Sequence, residues 1–237
     1  MQTPSSLVAA AVALAAAATI AAPVAHARTF AAPPPPVAPP AAAPIATRPA
    51  PVARPVDRAK LAAALTAQRQ ANLGRFRAYV AGGVYPSNTF AAGLRNVWRD
   101  DAGHFCAAAS IIAASGQGDL VLAQADRDNF VRLRDVTAGP LRDWILTSGF
   151  TVDEVDQIQR PFMPVSAEVP EDPFAAPPRP VDPALRAAED RRLRKLYKKI
   201  DRALVRHEAA SLRAAVERLM AEPNLAVAAF GPGVLGG

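Results

Sequence analysis

Residues 139–161 read GPLRDWILTSGFTVDEVDQIQRP, and their punctuation decides the fold class. Gly139-Pro140 opens a helix, because proline at the first helical position lacks only an N–H that would have no partner there. Leu141, Trp144, Ile145 and Leu146 then supply the apolar face, and Gly149 closes the element. Thr151 and Glu154 stand at capping-box spacing, where a hydroxyl and a carboxylate each satisfy a backbone N–H of the first turn. The helix they start carries Val155, Ile158 and Gln159 and is stopped by Pro161.

The same reading extends upstream. Asn129 to Val136 is less regular, and Asp119 to Asp126 is a short helix. Before it, an apolar helix begins at about Cys106 and stops at Ser115-Gly116. Leu94 to Arg99 reads as a short strand, Asp100–Gly103 as a tight turn and His104 onward as a return strand, so a small β-hairpin is expected near 94–106. Asp57 caps a helix to about Val80 with the stripe Leu61, Leu65, Phe76 and Val80, ended by Gly82-Gly83. Trp98 and Trp144, with Phe105, Phe130 and Phe150, read as core aromatics. The expectation is a mainly α protein: a compact bundle of short helices over residues 57–165 with a small hairpin, plus a long C-terminal helix.

Downstream, residues 166–181 include PFAAPPRPV and read as a proline-rich hinge. Asp182-Pro183 is a strong helix start, and a charged helix is expected over 182–222, about 60 Å long if unbroken. Its apolar stripe follows Leu185, Leu193, Leu196, Ile200 and Leu204, then shifts to Leu212, Val216 and Leu219. That drift predicts a break or a change of packing partner near Ser211. Residues 223–237 are apolar and glycine-rich without a period, and are expected to form a flexible tail.

The 237 residues are 51% hydrophobic, but much of that is alanine, which buries little area. Residues 1–27 read as a signal peptide. Leu7 to Ala22 is a small-apolar run interrupted only by Thr19, and Ala25-His26-Ala27 offers a small-x-small cleavage pattern, although Met1–Ser6 lacks a basic residue. Cleavage near Ala27 would export the chain to the periplasm or beyond, and no later stretch is long enough to cross a bilayer. Residues 28–56, with PPPPVAPPAAAPIATRPAPVARP, form a disordered Pro/Ala-rich spacer of polyproline II character, on the order of 70 Å in reach. In an oxidising compartment paired cysteines become disulfides, but one cysteine has no internal partner.

The formal charge of +6 is unevenly placed. Residues 28–99 carry ten basic and one acidic side chain, 100–172 five basic and thirteen acidic, and 182–222 eleven basic and seven acidic. An acidic middle between basic flanks allows pairing within the chain. The run RRLRKLYKK, residues 191–199, is the densest cationic stretch. Arg191, Arg192, Arg194, Lys195, Lys198 and Lys199, with Arg202 and Arg206, form a candidate contact surface for a protein partner or an anionic envelope polymer. Export removes most nucleic acid from reach, so nucleic acid is not the expected partner.

Cys106 stands where a thiol protease places its nucleophile, at the start of an apolar helix whose dipole lowers a thiol pKa. His104 lies on the same face of an extended segment, and Asp101 is close in sequence. Cys106, His104 and Asp101 are therefore the candidate catalytic group. They lack an orienting residue in a typical arrangement, so Cys106 reads more simply as a core residue. The same three could form only an adventitious metal site, because no repeated ligand spacing occurs. No phosphate-binding glycine loop and no nucleophile elbow is present. Neither a metal nor a cofactor is expected.

One resemblance covers about a quarter of the chain. Gly103-x-x-Cys106-Ala107, Ser115-Gly116, Leu120-Val121, Asn129, Trp144, Ser148-Gly149-Phe150-Thr151, Glu154 and Ile158-Gln159 together resemble a module of uncharacterised exported bacterial proteins. The resemblance implies a discrete module containing Cys106, and no activity. The expected role is a non-enzymatic envelope interaction module; the alternative is a thiol-dependent enzyme using Cys106 with His104.

Overall fold

Eight α-helices and two 3-10 turns follow one another without a sheet among the described residues of the computed structural model, 55–167 and 179–236. The expected signal segment, nearly all of the spacer and the centre of the hinge lie outside those residues. Helix α1, Arg58–Gly82, starts at Asp57, whose carboxylate accepts the N–H groups of Ala59 and Lys60. It ends at Gly83, in the left-handed conformation at φ 64° that a side chain would resist.

The short helices are α2 (Ala107–Ala114), α3 (Gly118–Arg127), α4 (Pro140–Thr147) and α5 (Val152–Gln159). The capping box of α5 is made in full: Thr151 Oγ1 accepts from Glu154 N, and Glu154 accepts from Thr151 N. The long C-terminal segment divides into α6 (Pro183–Arg206) and α7 (Glu208–Met220), followed by α8 (Pro223–Phe230).

Two apolar clusters share α1 as their spine. One gathers Phe76, Trp98, Ile111, Ile112, Trp144, Phe150 and Ile158 with Leu193, Tyr197, Ile200 and Leu204 of α6. The other gathers Leu61 and Leu65 with Leu146, Val216 and Leu219. Between them the buried stripe of α1 turns polar at Arg69 and Asn72. The break at His207 falls where the chain passes from the first cluster to the second, one turn before the predicted position. The charged helix is thus part of the core, since its stripe covers α1 and α5.

Two expectations need correction. The hairpin near 94–106 is reduced to a single antiparallel bridge between Arg99 and Phe105. The tight turn itself forms, with Gly103 N donating to Asp100 O at 2.9 Å and Asp100 N to His104 O at 3.0 Å. The outgoing arm finds other partners. Trp98 N donates to Asn129 O, the Asn129 side chain brackets Arg99, and Arg95 pairs with Phe162. The return arm is only two residues long before Cys106 caps α2. The charged segment 182–222 is divided at His207, close to the change of stripe read near Ser211. Second, most of residues 223–236 are ordered into α8 and a 3-10 turn, Pro232–Val234, docked on the start of α1. Asp57 N donates to Val234 O and Gly236 N to Pro55 O, both at 2.8 Å. An eight-residue helix with one buried residue, Ala226, leaves no visible period.

Candidate functional site

The thiol group is not assembled for catalysis. Cys106 is fully buried, and its Sγ accepts the N–H of Ala109 at 3.5 Å as the N-cap of α2. Burial pushes the thiol up to about 12, outweighing the N–H groups of Ala109 and Ala108 that favour the thiolate. His104 turns instead to Asp100, with Nδ1 3.1 Å from Oδ2 and its backbone N–H donating to Oδ1 at 2.8 Å. Asp100 also accepts Ser87 N, so it is the organiser of the turn. Asp101 accepts the Thr89 hydroxyl and takes no part. Among the described residues no three His, Cys, Asp or Glu side chains converge as metal ligands.

A measurement follows from this burial. Against an ordinary thiol at 9.0, a pKa near 12 lowers the thiolate population at neutral pH about a thousandfold. Iodoacetamide is expected to label Cys106 of the folded protein at least that much more slowly than the denatured chain. Labelling at comparable rates would restore Cys106 as a reactive group.

The basic run gives a different picture. Along α6 the buried positions Leu193, Tyr197, Ile200 and Leu204 define the core face. Arg191, Arg194, Lys195, Lys198, Lys199, Arg202 and Arg206 are exposed on the opposite side, over about 22 Å of helix. Arg192 departs from the group: its guanidinium is held by buried Glu189 at 2.6 and 2.7 Å and donates to Pro161 O. Donation to the Glu189 carboxylate raises the Arg192 pKa further.

The three carboxylates within α6 face elsewhere. Glu189 serves Arg192 and Met163 N, Asp190 pairs with Arg186, and Asp201 accepts from Arg77 of α1 at 2.7 Å. The pairing that the charge pattern allows between flanks and middle is made at Arg69–Glu154, Arg99–Asp126 and Arg142–Glu222, while Arg58–Glu217 and Arg77–Asp201 join the two flanks to each other. The exposed cations of α6 have no carboxylate within 4.0 Å among the described residues; Arg194 reaches Tyr85, and the others carry their charge without an acidic partner.

Beside this face runs a groove of about 520 Å³ between α1 and α6. Phe76, Val80, Ala81 and Tyr197 line it, while Arg77, Arg194, Lys198 and Arg202 edge it. The sequence shows the cations as a run but not the groove, because its apolar lining comes from two helices over a hundred residues apart. Only Tyr197, sharing a stripe with Leu193 and Ile200, hints at it.

Among the described residues no helix is long and apolar enough to cross a membrane. No family model, no curated protein and no solved structure matches this chain.

Proposed function

We propose that the chain is an exported, non-enzymatic interaction module that docks through the basic face of α6 on an anionic envelope component, either a polymer or the acidic surface of a protein. The observation that carries this reading is the row of seven exposed cations without carboxylate partners among the described residues. Like charges aligned on one rigid helix repel one another, and an anionic surface relieves that repulsion. The adjoining groove lets a partner add apolar contact to charge. The proline-rich spacer, as read from the sequence, would let such a module reach away from the point of anchorage. A thiol enzyme finds no support in a buried Cys106 and a His104 turned to Asp100.

The test replaces Arg191, Arg194, Lys195, Lys198, Lys199 and Arg202 by glutamine, leaving Arg192 on its buried Glu189, and follows co-sedimentation with envelope material across salt concentrations. Each cation near an anionic surface contributes about 1 kcal/mol, so loss of the six together is expected to weaken binding roughly ten-thousandfold at low salt. Binding by the unsubstituted protein should also fall as salt rises. If the unsubstituted protein does not sediment, or the variant sediments equally, the proposal fails.

A further inference from the structure

A second cationic site lies away from α6. Arg95, Arg132, Arg134 and Arg160 converge on a recess of about 340 Å³, although they come from three separate segments. The convergence is built, not accidental. Arg95 N donates to Phe162 O at 3.0 Å and Phe162 N to Arg95 O at 2.8 Å, which fixes Arg95 beside the chain leaving α5. Buried Gln159 accepts Leu133 N at 2.9 Å and donates to Val131 O at 2.8 Å, which fixes the segment carrying Arg132 and Arg134. Asp156 is the one carboxylate in the lining.

Two of the four guanidiniums are already occupied. Arg134 meets Asp156 at 3.8 Å and Asp153 at 4.0 Å, and Arg132 meets Asp135 at 3.7 Å. Arg95 and Arg160 have no carboxylate within reach among the described residues. Arg95 lies over the Phe130 ring, 5.0 Å from its centroid. Arg160 carries two costs. Its φ of 24° is the one positive value at a non-glycine among the described residues, and it precedes proline, where extended backbone is the norm. Its Nε is buried without a hydrogen-bond partner. A buried, unpartnered Nε also occurs at Arg69 and Arg218, but the strained backbone is particular to Arg160. That strain is a cost that a purely structural residue would shed by substitution, and an anion would satisfy the orphaned N–H.

We propose that this recess binds a small organic carboxylate, clasped by Arg160 and Arg95, with its apolar body against Leu94, Phe130 and Pro161. The planar guanidinium fork matches a carboxylate in two parallel hydrogen bonds. Leu94, 58% exposed, offers an apolar wall that a bare inorganic anion would not use. The volume lies at the small end of ligand sites and suits a compact monoanion. This site is independent of the α6 reading.

Benzoate is the probe, with acetate and inorganic phosphate as comparisons, titrated into the full chain while the arginine Nε–Hε NMR signals are followed. Benzoate is expected to shift the Arg160 and Arg95 signals saturably, with acetate and phosphate about tenfold weaker. Arg160→Gln should weaken benzoate binding about tenfold, because a charge-assisted pair is lost. Arg99→Gln removes the same charge outside the recess and should change nothing, as should the glutamine variant of α6. Arg160→Gly should abolish the response while raising the thermal midpoint, since glycine accepts the positive φ. Equal affinities for benzoate and acetate, tighter phosphate, or full binding by Arg160→Gln would each overturn the proposal. A lowered midpoint in Arg160→Gly would do the same, by making Arg160 a structural residue.

Discussion

Arg69→Met is expected to lower the unfolding free energy by about 3–5 kcal/mol, a third or more of the stability of an ordinary domain. Arg69 is the polar centre of the buried stripe of α1. Its Nη1 and Nη2 each donate to a Glu154 oxygen at 2.8 Å, and they also reach Gly149 O at 3.0 Å and Leu204 O at 2.7 Å. The two side chains are 1% and 9% exposed. Glu154 further accepts the Ser211 hydroxyl at 2.8 Å, so one ion pair ties α1, α5, the end of α6 and α7. The approach is close: a Cβ on Gly149, which has φ of 80°, would lie 2.7 Å from both Leu65 O and Arg69 Cβ. Removing the guanidinium strands a nearly buried carboxylate without its partner. The double variant Arg69→Met, Glu154→Gln removes the stranded charge and should recover about 2 kcal/mol of the loss. Urea unfolding of the two single variants and the double variant measures both quantities. A loss below about 1 kcal/mol for Arg69→Met would mean that the pair is solvated and does not organise the core.

How much of this was legible before the structure depends on the range over which each feature is determined. The Thr151–Glu154 capping box and the Gly139-Pro140 helix start are local and stand in the sequence as they stand in the fold. The second role of Glu154 was not legible, because a carboxylate on a helix names no distant partner, and Arg69 is one cation among many. The same limit explains the hairpin. Asp100–Gly103 does turn, but whether its arms pair with each other was decided by Asn129 and Phe162, which the local sequence cannot weigh. In the candidate site, the burial of Cys106 follows from its apolar neighbours and the basic face of α6 from its run. The α1–α6 groove and the Arg95–Arg160 convergence arise only when separate elements meet. Short α8 escaped for a different reason: eight residues barely exceed two turns, too few to establish a period.

The protein is expected to unfold cooperatively in alkali, with all three of its tyrosines ionising in the same step. Tyr79, Tyr85 and Tyr197 form one ring cluster, with centroids 5.5–5.8 Å apart. Desolvation raises the Tyr79 and Tyr197 phenols well above 10.0, as it raises the Cys106 thiol to about 12. Tyr85 is also raised by burial, with Arg194 opposing the shift. The sign follows from the unfolded chain, which releases these protons near 9.0 and 10.0 while the folded protein holds them. Their contribution is therefore intact below pH 9 and falls as pH rises toward the folded values. Each buried group costs about 1.4 kcal/mol per pH unit in that window, so Cys106, Tyr79 and Tyr197 together remove roughly 5 kcal/mol by about pH 11. Phenolate absorbance and helical circular dichroism should then change together in one steep transition. Among the described residues the Tyr79 and Tyr197 hydroxyls face only each other, and neither completes a well-formed hydrogen bond. Tyr197→Phe removes one ionisable group and one unsatisfied hydroxyl, and should move the transition to higher pH without loss of stability at neutrality. Phenolate appearing gradually near pH 10, ahead of any loss of helix, would show that the tyrosines are open to water and that the cluster does not couple alkali to unfolding.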